Sequence, residues 1–288
     1  MKFWQSLSFT DTDQLVALAK VCEDVGFAGI HLADHLVGHS HIDSKYPYAA
    51  GGDPSFVAQT EFPEPYAAMS AMAAVTTKIH FNTAIYIAPL RHPIVVAKSV
   101  ATASALSAGR VGLGVGVGWL EEEFAALGQD FHTRGRRLDE MIEVLRKLWS
   151  GEFVEHHGRF FDFDALRMLP APVGRVPVLG GGLSERALRR AGALCDGWLG
   201  TGNSAAELPG IMAKTRRYRE EAGRAGEPFE NIVAVLEPPD PGLYRNLEEQ
   251  GASAFMTFPL GYGVEGGMTL DAKRAALEKF GNEVIAKF

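Results

Sequence analysis

The fold of this chain is decided at residues 111–118, which read VGLGVGVG, with glycine at every second position. Successive side chains of a strand point to opposite faces, so one face carries Val111, Leu113, Val115 and Val117 and the other carries no side chains. We expect the apolar face to pack on helices and the bare face to point into a barrel. There it leaves space or lets a ligand approach the backbone. The alternative is that large neighbouring groups pack tightly against the glycines.

Strand and helix patterns alternate on both sides of this stretch, giving eight strand-then-helix units. The predicted strands are Phe3–Phe9, Phe27–Ala33, Lys78–Ala88, Arg110–Gly118, Val176–Leu179, Asp196–Leu199, Ile232–Glu237 and Ala252–Phe258. Such alternation predicts parallel strands joined by right-handed crossovers. An open doubly wound sheet is the alternative, but eight consecutive units in 288 residues match one (β/α)₈ barrel, which takes ~250 residues. We predict a single α/β TIM barrel domain spanning residues 1–288.

Two insertions interrupt the alternation. A loop over Val37–Pro63 follows the second strand, and Phe153–Phe163 is predicted to form a hairpin before the fifth. A loop of this length in a compact domain is usually functional or disordered. Four aromatic residues of the loop either cover an aromatic ligand or anchor the loop: Tyr46, Tyr48, Phe56 and Phe62. Trp119, after the glycine strand, either walls a ring system or packs in the core.

The bulk properties exclude several classes of partner. A net charge of −7 and a pI near 5.7 argue against general affinity for nucleic acid or for an anionic membrane. The N-terminus does not resemble a signal peptide, and no apolar run approaches the ~20 residues of a membrane span. Cys22 and Cys195 lie in apolar segments and are expected to be buried thiols in the cytoplasm. We expect no metal site, because His39 and His41 have no further ligand at suitable spacing.

A second chemical feature is Gly180-Gly181-Gly182-Leu183-Ser184, which follows the fifth strand and opens a helix. Glycines free backbone N–H groups to point at an anion, and the helix N-terminus adds partial positive charge. A plain turn with a serine cap is the competing interpretation. Because barrel active sites lie at the carboxyl ends of the strands, we predict a phosphate site here.

Asp34-His35 ends the second strand, at the same end of the barrel. His35 can exchange a proton near neutral pH, and Asp34 is a candidate to orient it. The alternative is that the pair caps or anchors the following loop.

These segments together resemble the luciferase-like monooxygenase superfamily. The specific part of the resemblance is the run from Gly114 through Trp119 to Phe124, followed by Arg134-Gly135-Arg136-Arg137. Asp34-His35 and Gly181-Gly182 match the same pattern, and the resemblance covers nearly the whole chain.

The resemblance implies a barrel that binds FMN or the deazaflavin coenzyme F420, with the phosphate at Gly181, Gly182 and Ser184. It also implies a non-proline cis peptide at Ala84–Ile85 beneath the ring system. The implied cofactor contacts are Asp34, Ala84, Ile85, Gly114, Gly116, Val117, Gly118, Gly180, Gly181, Gly182 and Ser184. Asp34-His35 resembles the F420-dependent branch, so F420 is favoured and FMN is the alternative. No basic pocket for a sugar-phosphate substrate can be identified.

The function predicted from these features is hydride transfer between F420 and a small organic substrate, with His35 and Asp34 as catalytic residues. With FMN the reaction would be a monooxygenation. A non-catalytic flavin-binding protein is a second alternative, and a phosphate-binding isomerase or aldolase a third. The last would need a lysine or paired carboxylates at strand ends. A homodimer is the default expectation for such a barrel.

Overall fold

The structure is a computed structural model that describes residues 1–49, 51–54, 56, 58–260 and 269–288. Within these residues the strands are β1 (Phe3–Ser6), β2 (Gly29–Leu32), β3 (His80–Thr83), β4 (Leu113–Val115), β5 (Phe153–His157), β6 (Asp162–Arg167), β7 (Val178–Gly181), β8 (Gly197–Leu199), β9 (Glu230–Ala234) and β10 (Ala254–Thr257). Eight of them form one parallel sheet in the order β3-β2-β1-β10-β9-β8-β7-β4.

The two ends of this sheet meet. Parallel bridges join Phe81 to Val111 and Tyr86 to Val115, so the β3 edge lies beside the β4 edge. The result is a nearly closed barrel of eight parallel strands, which confirms the predicted fold class and excludes the open sheet. The extent of the domain, residues 1–288, stays a prediction, because 261–268 lie outside the described residues.

Helices surround the barrel. In the described part of the chain they are α1 (Leu15–Val25), α2 (Pro65–Ala73), α3 (Pro93–Leu106), α4 (Glu121–Ala126), α5 (Arg134–Leu148), α6 (Glu185–Leu194), α7 (Leu208–Glu221), α8 (Pro241–Glu249) and α9 (Leu270–Glu283). Their ends follow local chemistry. Gly26 ends α1 at φ 98°, a left-handed conformation that costs glycine little. Proline opens α2 and α3, where its missing N–H has no helical partner to lose.

The core has two layers. Outside the strands, apolar side chains of the sheet and of the helices form one cluster, which includes Leu113 of β4 and Leu138 of α5. Inside the barrel, a smaller cluster contains Leu179, Leu199, Ile232, Ala234, Ala254 and Met256, with Trp4, Ala84, Ile85 and Phe258 packed against it. The filled interior leaves the strand ends as the place for a ligand site.

Both predicted insertions are present. β5 and β6 form an antiparallel hairpin that ends at Arg167, beyond the predicted limit of Phe163. Glu140 of α5 holds its turn by accepting hydrogen bonds from the N–H groups of Phe160 and Phe161. The loop over 37–63 contains no helix or strand among its described residues; 50, 55 and 57 lie outside them.

In the described part of the chain, no helix is long and apolar enough to cross a membrane.

Candidate active site at the mouth of the barrel

The glycine face of β4 points into the barrel, as predicted, but β3 and the residues after it fill the space. A Cβ on Gly114 would lie 1.9 Å from the carbonyl oxygen of Thr83, and one on Gly116 would lie 2.2 Å from Cδ1 of Ile85. The Thr83 hydroxyl also donates a hydrogen bond to the Gly114 carbonyl oxygen at 2.8 Å. The prediction that Gly114 and Gly116 leave space for a ligand is therefore wrong, and the tight-packing alternative holds.

Gly180 and Gly181 face opposite sides of β7. A Cβ on Gly180 would lie 2.9 Å from the Ala191 Cβ of α6, so this face of the glycine packs on a helix. That Gly180 contacts the cofactor stays a prediction. A Cβ on Gly181 would lie 2.6 Å from Cγ2 of Ile85. One side chain, Ile85, thus occupies the space left by glycines on two strands, β4 and β7.

The peptide bond between Ala84 and Ile85 is cis, as the resemblance implied. Ala84 and Ile85 are partly exposed, as are Val117, Gly118 and Gly181 at the ends of the neighbouring strands. The apolar surface open to a ligand at this point is therefore Ile85 and its neighbours rather than bare glycine backbone.

A set of free amides lies next to this surface. Gly182 has φ 109°, and the Ser184 side chain caps α6 by accepting a hydrogen bond from Ala187 N–H at 3.2 Å. In the described part of the chain, no group accepts a hydrogen bond from the N–H of Gly182, Leu183 or Ser184. The cap predicted as an alternative is present, yet it leaves these three amides and the helix N-terminus available for an anion.

Both carboxylate oxygens of Asp34 accept hydrogen bonds from residues other than His35. Its Oδ2 accepts hydrogen bonds from Ile87 N–H at 2.9 Å and Arg91 Nη1 at 2.7 Å, and its Oδ1 accepts one from Arg91 Nη2 at 2.8 Å. The side chain is 1% exposed. The prediction that Asp34 orients His35 is therefore wrong, because Asp34 instead fixes the segment that follows the cis peptide. A direct contact between Asp34 and a cofactor stays a prediction.

His35 is oriented by Glu123 of α4. The His35 Nδ1 lies 3.0 Å from Glu123 Oε2, while Glu123 Oε1 accepts a hydrogen bond from Leu36 N–H at 2.5 Å. Glu123 is completely buried, and the His35 side chain is 9% exposed. A carboxylate only accepts hydrogen bonds, so this contact places a proton on Nδ1 and leaves Nε2 as the nitrogen that can exchange one.

Aromatic rings enclose His35. Its ring centroid lies 4.9 Å from that of Phe56, 5.0 Å from that of Phe62 and 6.2 Å from that of Trp119. Phe56 and Phe62 belong to the long loop, which therefore folds over the histidine. Both alternatives for these rings remain open, since anchoring the loop and walling a ligand are compatible.

The same loop is tied to α4 by Glu122. This carboxylate accepts hydrogen bonds from the N–H groups of Asp43 and Ser44, at 2.7 and 3.0 Å, and from the Ser44 hydroxyl at 2.6 Å. Although partial burial raises the pKa of the Glu122 carboxyl, these hydrogen bonds outweigh it and lower the pKa to about 2. Glu122 is therefore charged at neutral pH and holds the loop beside the site.

Sequence reasoning missed the roles of Glu122, Glu123 and Arg91. The first two lie in the acidic triplet 121–123 that the family resemblance includes, and acidic residues are common in the first turn of a helix for dipole reasons alone. Nothing in the sequence around Arg91 indicates its role, because its partner Asp34 lies 57 residues away in the chain. Arg134 and Arg137 of the quoted motif donate to the carbonyl oxygens of Gly118 and Pro89, which fixes backbone near the strand ends.

Within the described residues, no group of three or more His, Cys, Asp or Glu side chains is arranged to hold a metal ion.

Comparison with known proteins identifies the family of the chain. The model of the family described as luciferase-like monooxygenase matches residues 5–236. An uncharacterized protein of Mycobacterium tuberculosis is 36% identical over 100% of both chains. The F420-dependent glucose-6-phosphate dehydrogenase of Mycolicibacterium fortuitum is 28% identical over 80% of this chain and 66% of that protein. The crystal structure of the monooxygenase RslO1 from Streptomyces bottropensis superposes with a TM-score of 0.77, at 17% identity, over 100% of this chain and 99% of that one.

Proposed function

Because this chain belongs to the luciferase-like monooxygenase family, we propose that it is an oxidoreductase that transfers hydride between coenzyme F420 and a small organic substrate. The observation that carries the proposal is the free amide set at Gly182, Leu183 and Ser184, next to the apolar surface at Ile85. The amides suit a phosphate and the apolar surface suits a flat ring system, and they follow the carboxyl ends of β7 and β3, the two strands that flank β4.

The residues present can hold such a cofactor. The amides of Gly182, Leu183 and Ser184 would bind its phosphate, and Ala84, Ile85 and Val117 would contact its ring system. A bound deazaflavin supplies a carbon that accepts or gives a hydride, which no protein side chain can do. The chain itself supplies orientation, exclusion of water and a route for the proton.

His35 is the group proposed to move that proton. Glu123 keeps the Nδ1 proton in place, so Nε2 accepts a proton from a substrate hydroxyl or returns one. The rings of Phe56, Phe62 and Trp119 keep water from this nitrogen and give the substrate an apolar surface to pack on. The buried carboxylate also stabilises the imidazolium that forms when His35 is protonated.

F420 is favoured over FMN on two grounds. The Asp34-His35 pattern resembles that of F420-dependent enzymes, and an F420-dependent dehydrogenase is among the relatives. FMN-dependent monooxygenation is the second candidate, and the match to the fold of a monooxygenase over the whole chain favours it. The oriented His35–Glu123 pair supports catalysis rather than simple storage of a flavin.

The first test is a fluorescence titration of the purified protein with F420 and with FMN. We expect saturable binding of F420 and weaker binding of FMN. If FMN binds more tightly than F420, and the protein with reduced FMN consumes oxygen, the result would support the FMN-dependent monooxygenase instead. If neither cofactor binds, the proposed function is wrong.

The second test is the variant His35→Ala. Once a panel of alcohols, aldehydes and amines has revealed a substrate, turnover should fall by ~10²- to 10⁴-fold, as is usual for loss of an acid–base group. Affinity for the cofactor should stay within about threefold, because His35 is assigned to the proton and not to the phosphate. Unchanged turnover would reject the proton role. Glu123→Gln, which keeps an oxygen for Leu36 N–H but removes the charge, should give a smaller loss.

A further inference from the structure

We propose that the substrate is an uncharged molecule with an aromatic or branched apolar body, which lies among the rings beside His35. A phosphate or carboxylate group on a molecule would exclude it from this place. This inference rests on the proposed function and adds the class of the substrate to it. The rings, the apolar side chains beyond them and the charge around the barrel mouth support it.

The rings beside His35 form a continuous cluster. The centroid of Phe56 lies 5.1 Å from that of Phe62 and 6.3 Å from that of Trp119, and all three rings are partly exposed. Trp119 also packs edge-on against Tyr46 at 5.2 Å. Partly exposed rings bind other rings and branched apolar chains, because such contacts bury apolar area and align ring edges with ring faces. The surroundings of His35 therefore suit an apolar body that carries one hydroxyl or carbonyl group.

Exposed apolar side chains extend this surface across the mouth of the barrel. Leu36 and Val37, in the loop after β2, are 38% and 41% exposed, and Leu236, after β9, is 72% exposed. The N–H of Leu236 donates a hydrogen bond to the Asn203 carbonyl oxygen at 3.1 Å, so strand pairing continues to this residue. Since Ala234, two residues earlier, packs in the barrel interior, Leu236 points to the mouth. An apolar ligand would cover side chains that otherwise meet water.

The charge around the mouth suits a ligand without negative charge. In the sequence of the segments that lead from a barrel strand to the next helix, the basic residues besides histidine are Lys45 and Arg91. Carboxylates are more numerous there and include Asp43, Asp53 and Glu61 at exposed positions. The segments are 7–14, 33–64, 84–92, 116–120, 182–184, 200–207, 235–240 and 258–269. Negative charges at the mouth repel a phosphate or carboxylate that approaches the site.

The two cations do not form an anion pocket. Arg91 donates hydrogen bonds from both terminal nitrogens to Asp34, and its side chain is only 10% exposed. Lys45 is a single exposed side chain in a loop that also carries Asp43 and Asp53, and salt screens such a charge. The free amides after β7 are assigned to the phosphate of the cofactor. A second anion, on the substrate, would therefore lack donors of its own.

The first part of the test compares ligands that differ in charge or in apolar body. Once fluorescence has shown which cofactor binds, its complex with the protein would be titrated in a calorimeter. The ligands are benzyl alcohol and benzoate, cyclohexylmethanol and cyclohexanecarboxylate, methanol, and glucose 6-phosphate. Each ring-bearing alcohol should bind at least about tenfold more tightly than its carboxylate, and than methanol, which lacks the ring. Glucose 6-phosphate should not bind.

The second part places a cation in the apolar surface. Val37→Lys should bind benzoate about fivefold more tightly than the wild type does, because it supplies a positive charge beside the rings. Its affinity for benzyl alcohol should stay within about twofold. Val173→Lys is the matched control, because Val173 is 51% exposed and precedes β7, at the amino ends of the strands. The same change in net charge at that end should leave both affinities unchanged.

The other results are distinguishable. If benzoate or glucose 6-phosphate binds the wild type as tightly as benzyl alcohol does, the inference is wrong, although the proposed function stands. The same holds if a cofactor binds but no ring-bearing alcohol does, or if Val37→Lys and Val173→Lys act alike. If neither F420 nor FMN binds, the proposed function fails and this inference fails with it.

Discussion

His31 lies inside the barrel in β2, fully buried, with its ring stacked on Trp4 at a centroid distance of 4.7 Å. Burial has the larger effect on the protonation of this ring, and the backbone of Asn82 opposes it by favouring the protonated form. Because burial disfavours the charged form, the pKa of His31 falls to about 3. His31 is therefore neutral in the folded protein at neutral pH.

This burial makes stability depend on pH. The unfolded chain protonates His31 near pH 6.5, but the folded chain does not do so until about pH 3, so acid favours unfolding within that window. The contribution of His31 to the free energy of unfolding should fall by up to ~1.4 kcal/mol per pH unit there. His31→Phe, which keeps an aromatic ring beside Trp4, should show a flatter dependence between pH 6.5 and 4.5 in urea titrations. His41→Gln, at an exposed site, should keep the wild-type slope; equal slopes for all three proteins would contradict the prediction.

At the scale of the element, β4 shows how one pattern serves two kinds of packing. Gly114 admits a backbone carbonyl of β3, whereas Gly116 admits the end of the Ile85 side chain. A carbonyl within a sheet ladder cannot move aside, but a terminal methyl group can be removed by substitution. The same replacement should therefore have different consequences two residues apart.

We expect Gly114→Ala to prevent folding or to unfold at much lower urea, since its Cβ would meet the Thr83 oxygen at 1.9 Å. Gly116→Ala should cost about 1–3 kcal/mol, the usual cost of overpacking. Most of that loss should be recovered in Gly116→Ala/Ile85→Val, which lacks the Cδ1 atom in the way. Equal effects of the two single substitutions, measured by urea unfolding, would show that the backbone adjusts and that the distinction is wrong.

The same strand shows what the sequence can and cannot predict. Alternating glycines predict which face of β4 points inward, because side-chain direction on a strand is a local property. They do not predict that Thr83 and Ile85 fill that face, because the partner comes from a strand about thirty residues earlier. The observed strand, Leu113–Val115, is also shorter than the predicted Arg110–Gly118. The alternation of glycine and apolar residues in the sequence continues beyond the last residue that pairs with a neighbouring strand.

The site was predictable to a similar degree. The sequence predicted that His35 and the 180–184 turn lie at the mouth of the barrel, because that position depends on topology alone. Sequence adjacency suggested Asp34 as the partner of His35, but Glu123, 88 residues away, takes that place. Neighbouring residues at a strand end point in different directions, and a sequence does not show which distant side chain meets each one.

At the scale of the whole molecule, α2 and α3 are neighbours whose outward faces differ from an ordinary surface. Residues 65–77 contain no charged side chain, and α3 contains only Lys98. The other exposed positions of the two helices and of the turn after α2 include mostly small or apolar residues: Ala67, Ala71, Ala74, Val75, Val95, Thr102, Ala105 and Leu106. The centres of protein interfaces are poor in charge, and apolar patches of this kind usually contact another protein.

We therefore expect the chain to form a homodimer through the outward faces of α2 and α3. Light scattering coupled to gel filtration should give twice the mass of the chain for the wild type. Ala71→Glu should give a monomer, because it would bury an unpaired charge at the contact. Ala213→Glu, at an exposed position of the charged helix α7, should stay dimeric. A monomeric wild type would refute the expectation.

Ile85 has a consequence for how this protein can evolve. Its side chain occupies the room left by Gly116 on one strand and Gly181 on another, so the three positions cannot drift independently. A lineage that gains a methyl group at either glycine loses less stability if it has first acquired a smaller residue at 85, because the reverse order passes through a less stable ancestor. Residue 85 also forms part of the surface at the barrel mouth. A smaller residue at 85 that is selected because it binds a different ligand would therefore also make substitution of Gly181, two strands away, less costly.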